Sequence, residues 1–187
     1  MVKRVVNAGL EGRIVPDRGL DHGAWEPLML MYPEANIPVT QLSIQPHQGP
    51  THHLQLGRAL APLRQEGVVI LASGAITHNL QAFGQHELDA EPVDWAVAFD
   101  QWIAETIAPP KTSSDISHNT NLQGLINIDA LLDYRHLAPY AQQNHPTEEH
   151  LLPLFVALGA AGSTPRGTQL HASFTYGVLS MAAYALE

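Results

Sequence analysis

Residues 68–72 read Val-Val-Ile-Leu-Ala, an apolar run without a polar interruption, set between Gly67 and Ser73-Gly74. A strand with one wet face alternates apolar and polar side chains. A continuous run instead demands burial on both faces, the situation of a parallel sheet covered by helices. The segment before it, 53–65, places Leu56, Leu60 and Leu63 on one helical face, with Thr51 as the expected cap. Helix, buried strand and loop in that order make an α/β unit. The expected fold is therefore α/β, with a mostly parallel central sheet flanked by helices. The length of 187 residues suits a single domain over 1–187. In such sheets ligands gather beyond the carboxyl ends of the strands, and the loop after residue 72 carries His78.

The rest of the chain supplies further elements. Residues 2–10 read as the tail of a helix ending near Gly9 or Gly12. A domain rarely opens on a helix end, so the expected sheet is truncated at the N-terminus and upstream sequence is expected to be missing. Residues 16–23 form a loop, 25–32 a short apolar helix closed by Pro33, and 39–44 an alternating strand. Trp95, Phe99, Trp102 and Ile103 have helical spacing and belong to a core. The polar stretch 109–121 reads as an exposed loop. Residues 126–142 return to helical spacing, with Leu131, Leu132 and Leu137, and Pro139 bends or ends that helix. Thr147 is expected to cap a further helix, with Glu148 and Glu149 at its positive end and a buried apolar stretch at 151–158. Pro153 has no place in that helix that the sequence explains. Residues 159–167 form a small-residue loop, and 171–184 are mostly strand or buried turn.

Composition removes several chemistries. The absence of cysteine excludes disulfides, thiolate metal sites and a Cys nucleophile. A net charge of −9, with nine Lys and Arg, disfavours nucleic acid and anionic membrane as partners. No signal peptide and no membrane-spanning apolar stretch is read in the sequence, so a cytoplasmic location is the default. Eleven histidines are the unusual feature, since imidazole is both a common metal ligand and a common acid or base. No H-E-x-x-H or H-x-H motif occurs, so any histidine site must converge from distant loops.

Several segments share one likeness. They are Gly19-Leu20-Asp21-His22-Gly23-Ala24-Trp25-Glu26-Pro27-Leu28 running on to Met31-Tyr32-Pro33, then Ser73-Gly74-Ala75-Ile76-Thr77-His78-Asn79-Leu80. His145-Pro146-Thr147-Glu148-Glu149-His150-Leu151-Leu152-Pro153-Leu154 follows, and His171-Ala172-Ser173-Phe174-Thr175-Tyr176-Gly177 closes the series. In order and separation the chain resembles the DOPA-dioxygenase branch of the class III extradiol dioxygenases over nearly its whole length. That resemblance implies cleavage of a catechol ring with O2, on a non-haem metal, Fe(II) or Zn(II), held so that substrate positions stay open. It implies that His78 is the acid/base or a close metal contact, and that His171 is a C-terminal metal ligand. His22 would be a pocket histidine that orients the substrate, with Asp21 setting its tautomer. Residue by residue, plainer readings stand beside these: a hydrogen-bonded loop for His78, a packed structural side chain for His171, and a turn made by Asp21 and Gly23 around His22. His145 and His150 are assigned to a helix start and its packing. His52 and His53 are assigned to a helix entry. Trp25, Phe174 and Tyr176 suit an aromatic guest and a core equally.

The chain also departs from the family. The resemblance implies an N-terminal strand ending in a His-Gly-Ser-Pro type motif, and a second ligand histidine in a later strand. Neither is found here, and His47 and His52 lie in the wrong segments. About half of the metal site is expected. A fragment or misassigned start, pairing with a separate segment or a second copy, and a decayed relative all remain open. So do two other functions on this fold, a zinc-dependent hydrolase-like activity and a non-catalytic assembly module.

Overall fold

The computed structural model describes residues 1–109 and 125–187. The chain divides into two compact units, one of residues 1–74 with 152–160, the other of 75–151 with 161–187. Beyond Pro109, the polar loop expected at 109–121 lies outside the described residues. No helix among the described residues is long and apolar enough to cross a membrane.

The first unit is helical among its described residues. It contains α1 (Val2–Asn7), α2 (His22–Met31), α3 (Gly49–Leu60) and a helix near the end of the chain, Leu152–Ala160. Short 3-10 turns at Pro46–Gln48 and Ala61–Glu66 flank α3. The helix expected over 53–65 thus starts earlier and changes pitch. Pro50 falls in the first turn, where no backbone N–H is needed. Thr51 therefore lies inside α3 and does not cap it. Pro62 similarly opens the 3-10 turn, and Gly67, at φ +79°, closes it in the left-handed region. The expected apolar face survives: Leu56 and Leu60 join Val5 in a buried cluster, with Leu63, Ile70 and Val156 packed against it. Helix α3 crosses Leu152–Ala160 at Gly57 and Gly159. A Cβ on Gly57 would fall onto the Val156 carbonyl oxygen, and one on Gly159 onto that of Leu54. Only glycine lets the two backbones meet this closely.

Residues 68–72 differ from their expected state. They form no strand. Val68, Val69 and Leu71 are 43%, 73% and 45% exposed, so the burial on both faces is absent. The alternating stretch 39–44 is likewise not a strand. A strand needs a partner strand for its backbone groups, and neither segment pairs with one among the described residues. Helix α2 occupies the expected short apolar helix, but none of its residues is buried.

The second unit carries α4 (Leu80–Phe83), α5 (Asp94–Ile107), α6 (Ile128–Leu132), α7 (Tyr134–Leu137) and α8 (Ala141–Asn144), then β1 (Gly167–His171), β2 (Phe174–Thr175), β3 (Leu179–Ser180) and β4 (Ala183–Leu186). Its centre is α5, whose Phe99, Ile103 and Ile107 are fully buried along with Leu131, Tyr134 and Val178. Full burial of a side chain such as Phe99 contributes roughly 1.5–3 kcal/mol. The helix expected over 126–142 is broken into α6, α7 and α8. Asn127 caps α6 through the Ala130 N–H at 3.1 Å, and α7 stops at Leu137 because Ala138, which precedes Pro139, is extended at ψ 136°.

The strands of this unit form two antiparallel pairs, β1 with β4 and β2 with β3. Gly167 faces Leu186, and a bulge interrupts the register between Gln169 and His171. The β2–β3 turn places Tyr176 at φ 53° and Gly177 at φ 63°. The mostly parallel central sheet is thus not what the described strands form. Mixed helix and strand is what the structure has.

Candidate active site

Residues 75–79 carry His78, and each is held by residues far away in sequence. Ala75 N–H donates to the His150 carbonyl at 2.8 Å and His78 N–H to that of Asn144 at 3.0 Å. The His145 ring donates from Nε2 to the Ile76 carbonyl at 2.6 Å. Thr77 is fully buried. Its Oγ1 donates to the Val178 carbonyl at 2.8 Å and accepts from Ser180 N–H at 2.7 Å. Asn79 donates to the Gln143 carbonyl at 2.7 Å, while its Oδ1 caps α4. Behind Thr77, Ser180 Oγ donates to Asp100 Oδ1 at 2.5 Å. Burial pushes the Asp100 carboxyl up, and the Ser180 hydrogen bond works against that.

The side chain presented by this loop stacks on another imidazole. The rings of His78 and His150 lie 3.4 Å apart at their centroids and 12° from parallel. Two positive rings that close would repel strongly. Burial holds the His78 ring below its ordinary value, and the neighbouring His150 lowers it further. The Glu149 carboxylate pulls the other way. Glu149 lies 3.5 Å from His150 Nδ1, an electrostatic contact rather than a hydrogen bond. The hydrogen bond from Thr147 holds Glu149 below the usual carboxylate range. Burial thus biases His78 towards the neutral imidazole, with the Glu149 carboxylate placed to favour a proton on that ring.

His145 and His150 correct the sequence reading, which left them to a helix start. The helix begins at Leu152, and Pro153 takes its second position, where a missing N–H costs nothing. Pro153 is thereby explained, and Thr147 caps no helix but donates to Glu149. Residues 145–150 become a loop that faces 75–78. The signal was available: a proline belongs to the first turn of a helix, so Pro153 argues for a start near 152.

The other predicted residues are placed differently. His171, at the end of β1, is exposed and its Nε2 pairs with Ser173 Oγ at 2.7 Å. Among the described residues of this unit, no hydrogen bond or ring contact joins it to His78. His22, in the first unit, is the exposed first residue of α2. Asp21 does not set its tautomer: its carboxylate accepts from Ala24 N–H at 3.2 Å, as the helix cap, and from Gln41 Nε2 at 2.7 Å. Trp25 is 44% exposed. The Tyr176 ring packs edge-on against Phe83 at 4.6 Å. His53 is buried in α3, where Nδ1 donates to the Gly49 carbonyl at 2.6 Å and Nε2 accepts from Gln45 N–H at 3.0 Å. A concavity of about 1030 Å³ in the first unit is lined by Val5, Leu10, Gln41, Leu42 and His52, among others, and by none of His22, His78 and His171. Chemistry thus points to the histidine pair rather than to that hollow.

Comparison with known proteins gives this geometry a context. The chain is 43% identical over 167 residues to a 4,5-DOPA dioxygenase extradiol of Beta vulgaris, a match that covers 89% of this chain and 56% of that protein. A protein of the same name from Mirabilis jalapa is 39% identical over 178 residues, covering 95% of this chain and 60% of that one. The chain therefore spans a little over half the length of these relatives. A crystal structure of an uncharacterized Escherichia coli K12 protein superposes with a TM-score of 0.75 at 30% identity, covering 97% of this chain and 70% of that chain. A family model described as the catalytic LigB subunit of aromatic ring-opening dioxygenase matches residues 1–187. With its stacked histidine loop and this match along its whole length, the chain belongs to the LigB family of aromatic ring-opening dioxygenases.

Proposed function

We propose that this chain is the catalytic domain portion of an extradiol dioxygenase that opens the ring of a catechol such as DOPA with O2, and that His78 is its acid/base. The observation that carries the reading is the His78–His150 stack on a loop held at every residue. Ring opening beside two hydroxyls requires removal of a catechol proton and its later return. A neutral imidazole can do both at one atom. His78 takes the proton while stacked on the His150 ring, and the Glu149 charge favours the imidazolium of His78. His150 joins His78 here as a functional residue, and His22 remains the proposed substrate-orienting histidine.

The family's chemistry depends on a non-haem metal. Fe(II) or Zn(II) is the ion this reading implies, with His171 as a ligand and His78, where it is not the acid/base, as a close metal contact. Among the described residues no three His, Cys, Asp or Glu side chains converge as a metal-holding group. The described donors thus do not fit a complete site, and the proton chemistry above is independent of one. A mostly parallel central sheet flanked by helices belongs to this proposal as the family's expected frame, supported by the continuous apolar run at 68–72. The net charge of −9 supports a small-molecule substrate rather than a nucleic acid.

The test is oxygen uptake with L-DOPA and Fe(II), with the ring-opened product followed by absorbance. The wild-type chain should consume oxygen, and His78→Gln should lose at least about a hundredfold, the usual worth of a general acid/base. No uptake by the wild type, or equal uptake by the variant, would overturn the reading.

A further inference from the structure

His145 is fully buried. Its ring packs 5.6 Å from Phe99. Nε2 donates to the Ile76 carbonyl at 2.6 Å, which assigns the proton to Nε2 and leaves Nδ1 as a bare acceptor. That Nδ1 is buried without a hydrogen-bond partner among the described residues. An imidazole in this position has one available role, as a neutral single donor, because a second proton would sit on Nδ1 with nothing to receive it. Burial indeed pushes its pKa down to about 4.

The carbonyl it holds belongs to Ile76, two residues before His78. The residue just before His145, Asn144, accepts the His78 N–H through its own carbonyl at 3.0 Å. Asn144 is in turn anchored by its side chain to the Trp95 and Tyr140 carbonyls, both at 3.1 Å. On the far side, the His150 carbonyl accepts the Ala75 N–H at 2.8 Å. The segment that supplies the stacking ring of His150 is therefore the segment that holds the backbone of His78. A shift of the Ile76 carbonyl would move one ring of the stack against the other.

We propose that His145 is a positioning residue: as an Nε2–H donor it sets the Ile76 carbonyl and thereby the face-to-face register of His78 on His150. A side chain that merely filled the space would support the core but leave the register free. The inference deepens the reading of His78 as acid/base and rests on it for its functional meaning, but the geometry can be read without any turnover.

The experiment is histidine-selective NMR on the full chain, with the His78 ring signals assigned by their disappearance in His78→Gln. Long-range nitrogen correlations should show His145 protonated at Nε2 and bare at Nδ1. The reverse tautomer would overturn the proposal at once, with no variant needed. In the wild type, His78 and His150 ring protons should be shifted upfield by each other's ring currents. His145→Gln keeps a donor at the position of Nε2 and should retain that shift; His145→Met fills the space without a donor and should lose it. A folded His145→Met chain with the wild-type shift, or a folded His145→Gln chain without it, would overturn the proposal. Should these signals behave as expected while the wild type takes up no oxygen with L-DOPA, the positioning role stands and the ring-cleavage reading falls.

Discussion

Residues 68–72 and 75–79 are separated by two residues and are ordered by opposite means. The first run is the most apolar of its neighbourhood, yet Val69 is 73% exposed and the segment forms no strand. The second is mixed in character, yet each of its residues has a hydrogen-bonded anchor far along the chain. Hydrophobic burial is non-directional and needs only a surface to bury against. Buried polar groups need partners at defined places, so a loop with partners at every residue holds one geometry. Apolar character marks where a chain can be buried; polar pairing decides where a side chain is aimed.

The largest way to break the comparison is to remove the wall behind the second loop. Phe99→Ala should cost about 3–5 kcal/mol in chemical denaturation, since the ring is fully buried against Tyr134 and His145. A loss below about 1 kcal/mol would show that the core around the histidine loop is not packed as described.

Acid should come next. The His145 pKa falls from 6.5 to about 4 on folding, so between those values the unfolded chain binds the proton and the folded chain does not. Stability from this group is complete above pH 6.5 and declines as pH falls towards about 4. At about 1.4 kcal/mol per pH unit the interval is worth on the order of 3 kcal/mol. Urea midpoints measured over this range should fall with pH, and His145→Gln should flatten the slope.

Ser180→Ala removes the hydroxyl that donates to Asp100, leaving the Asp100 carboxyl without that donor. A loss of roughly 1–3 kcal/mol is expected by thermal unfolding, with the His78 ring signals broadened. An unchanged melting temperature would mean that the network behind Thr77 carries no weight. The smallest effect should fall on the first region. Val69→Lys, at a site 73% exposed, should alter stability by less than about 0.5 kcal/mol. A large loss there would show that residues 68–72 are buried in solution, and would turn the contrast between the two segments around.

Much of the local structure was legible. Leu56 and Leu60 announced the buried face of α3, Phe99 and Ile103 that of α5, and Pro139 the end of α7, because helical periodicity and proline geometry act over a few residues. His78 was legible as a loop residue after an apolar run, and its likeness to a known motif singled it out. His150 was not, because nothing within 145–150 states that its ring will lie on one more than seventy residues earlier. Residues 68–72 misled for the same reason in reverse: an apolar run reports a preference for burial, and only a partner strand can satisfy it.

On its own, the amino-acid sequence determined the family and the helix faces, excluded thiol chemistry, and marked His78 as the residue to follow. The tertiary structure alone decided that His150 is its partner, that His145 is a buried neutral donor, and that the described strands pair antiparallel. Periodicity and capping are short-range and written in neighbouring letters. The pairing of two imidazoles depends on chain segments that meet only after folding, where distance along the sequence no longer measures distance in space.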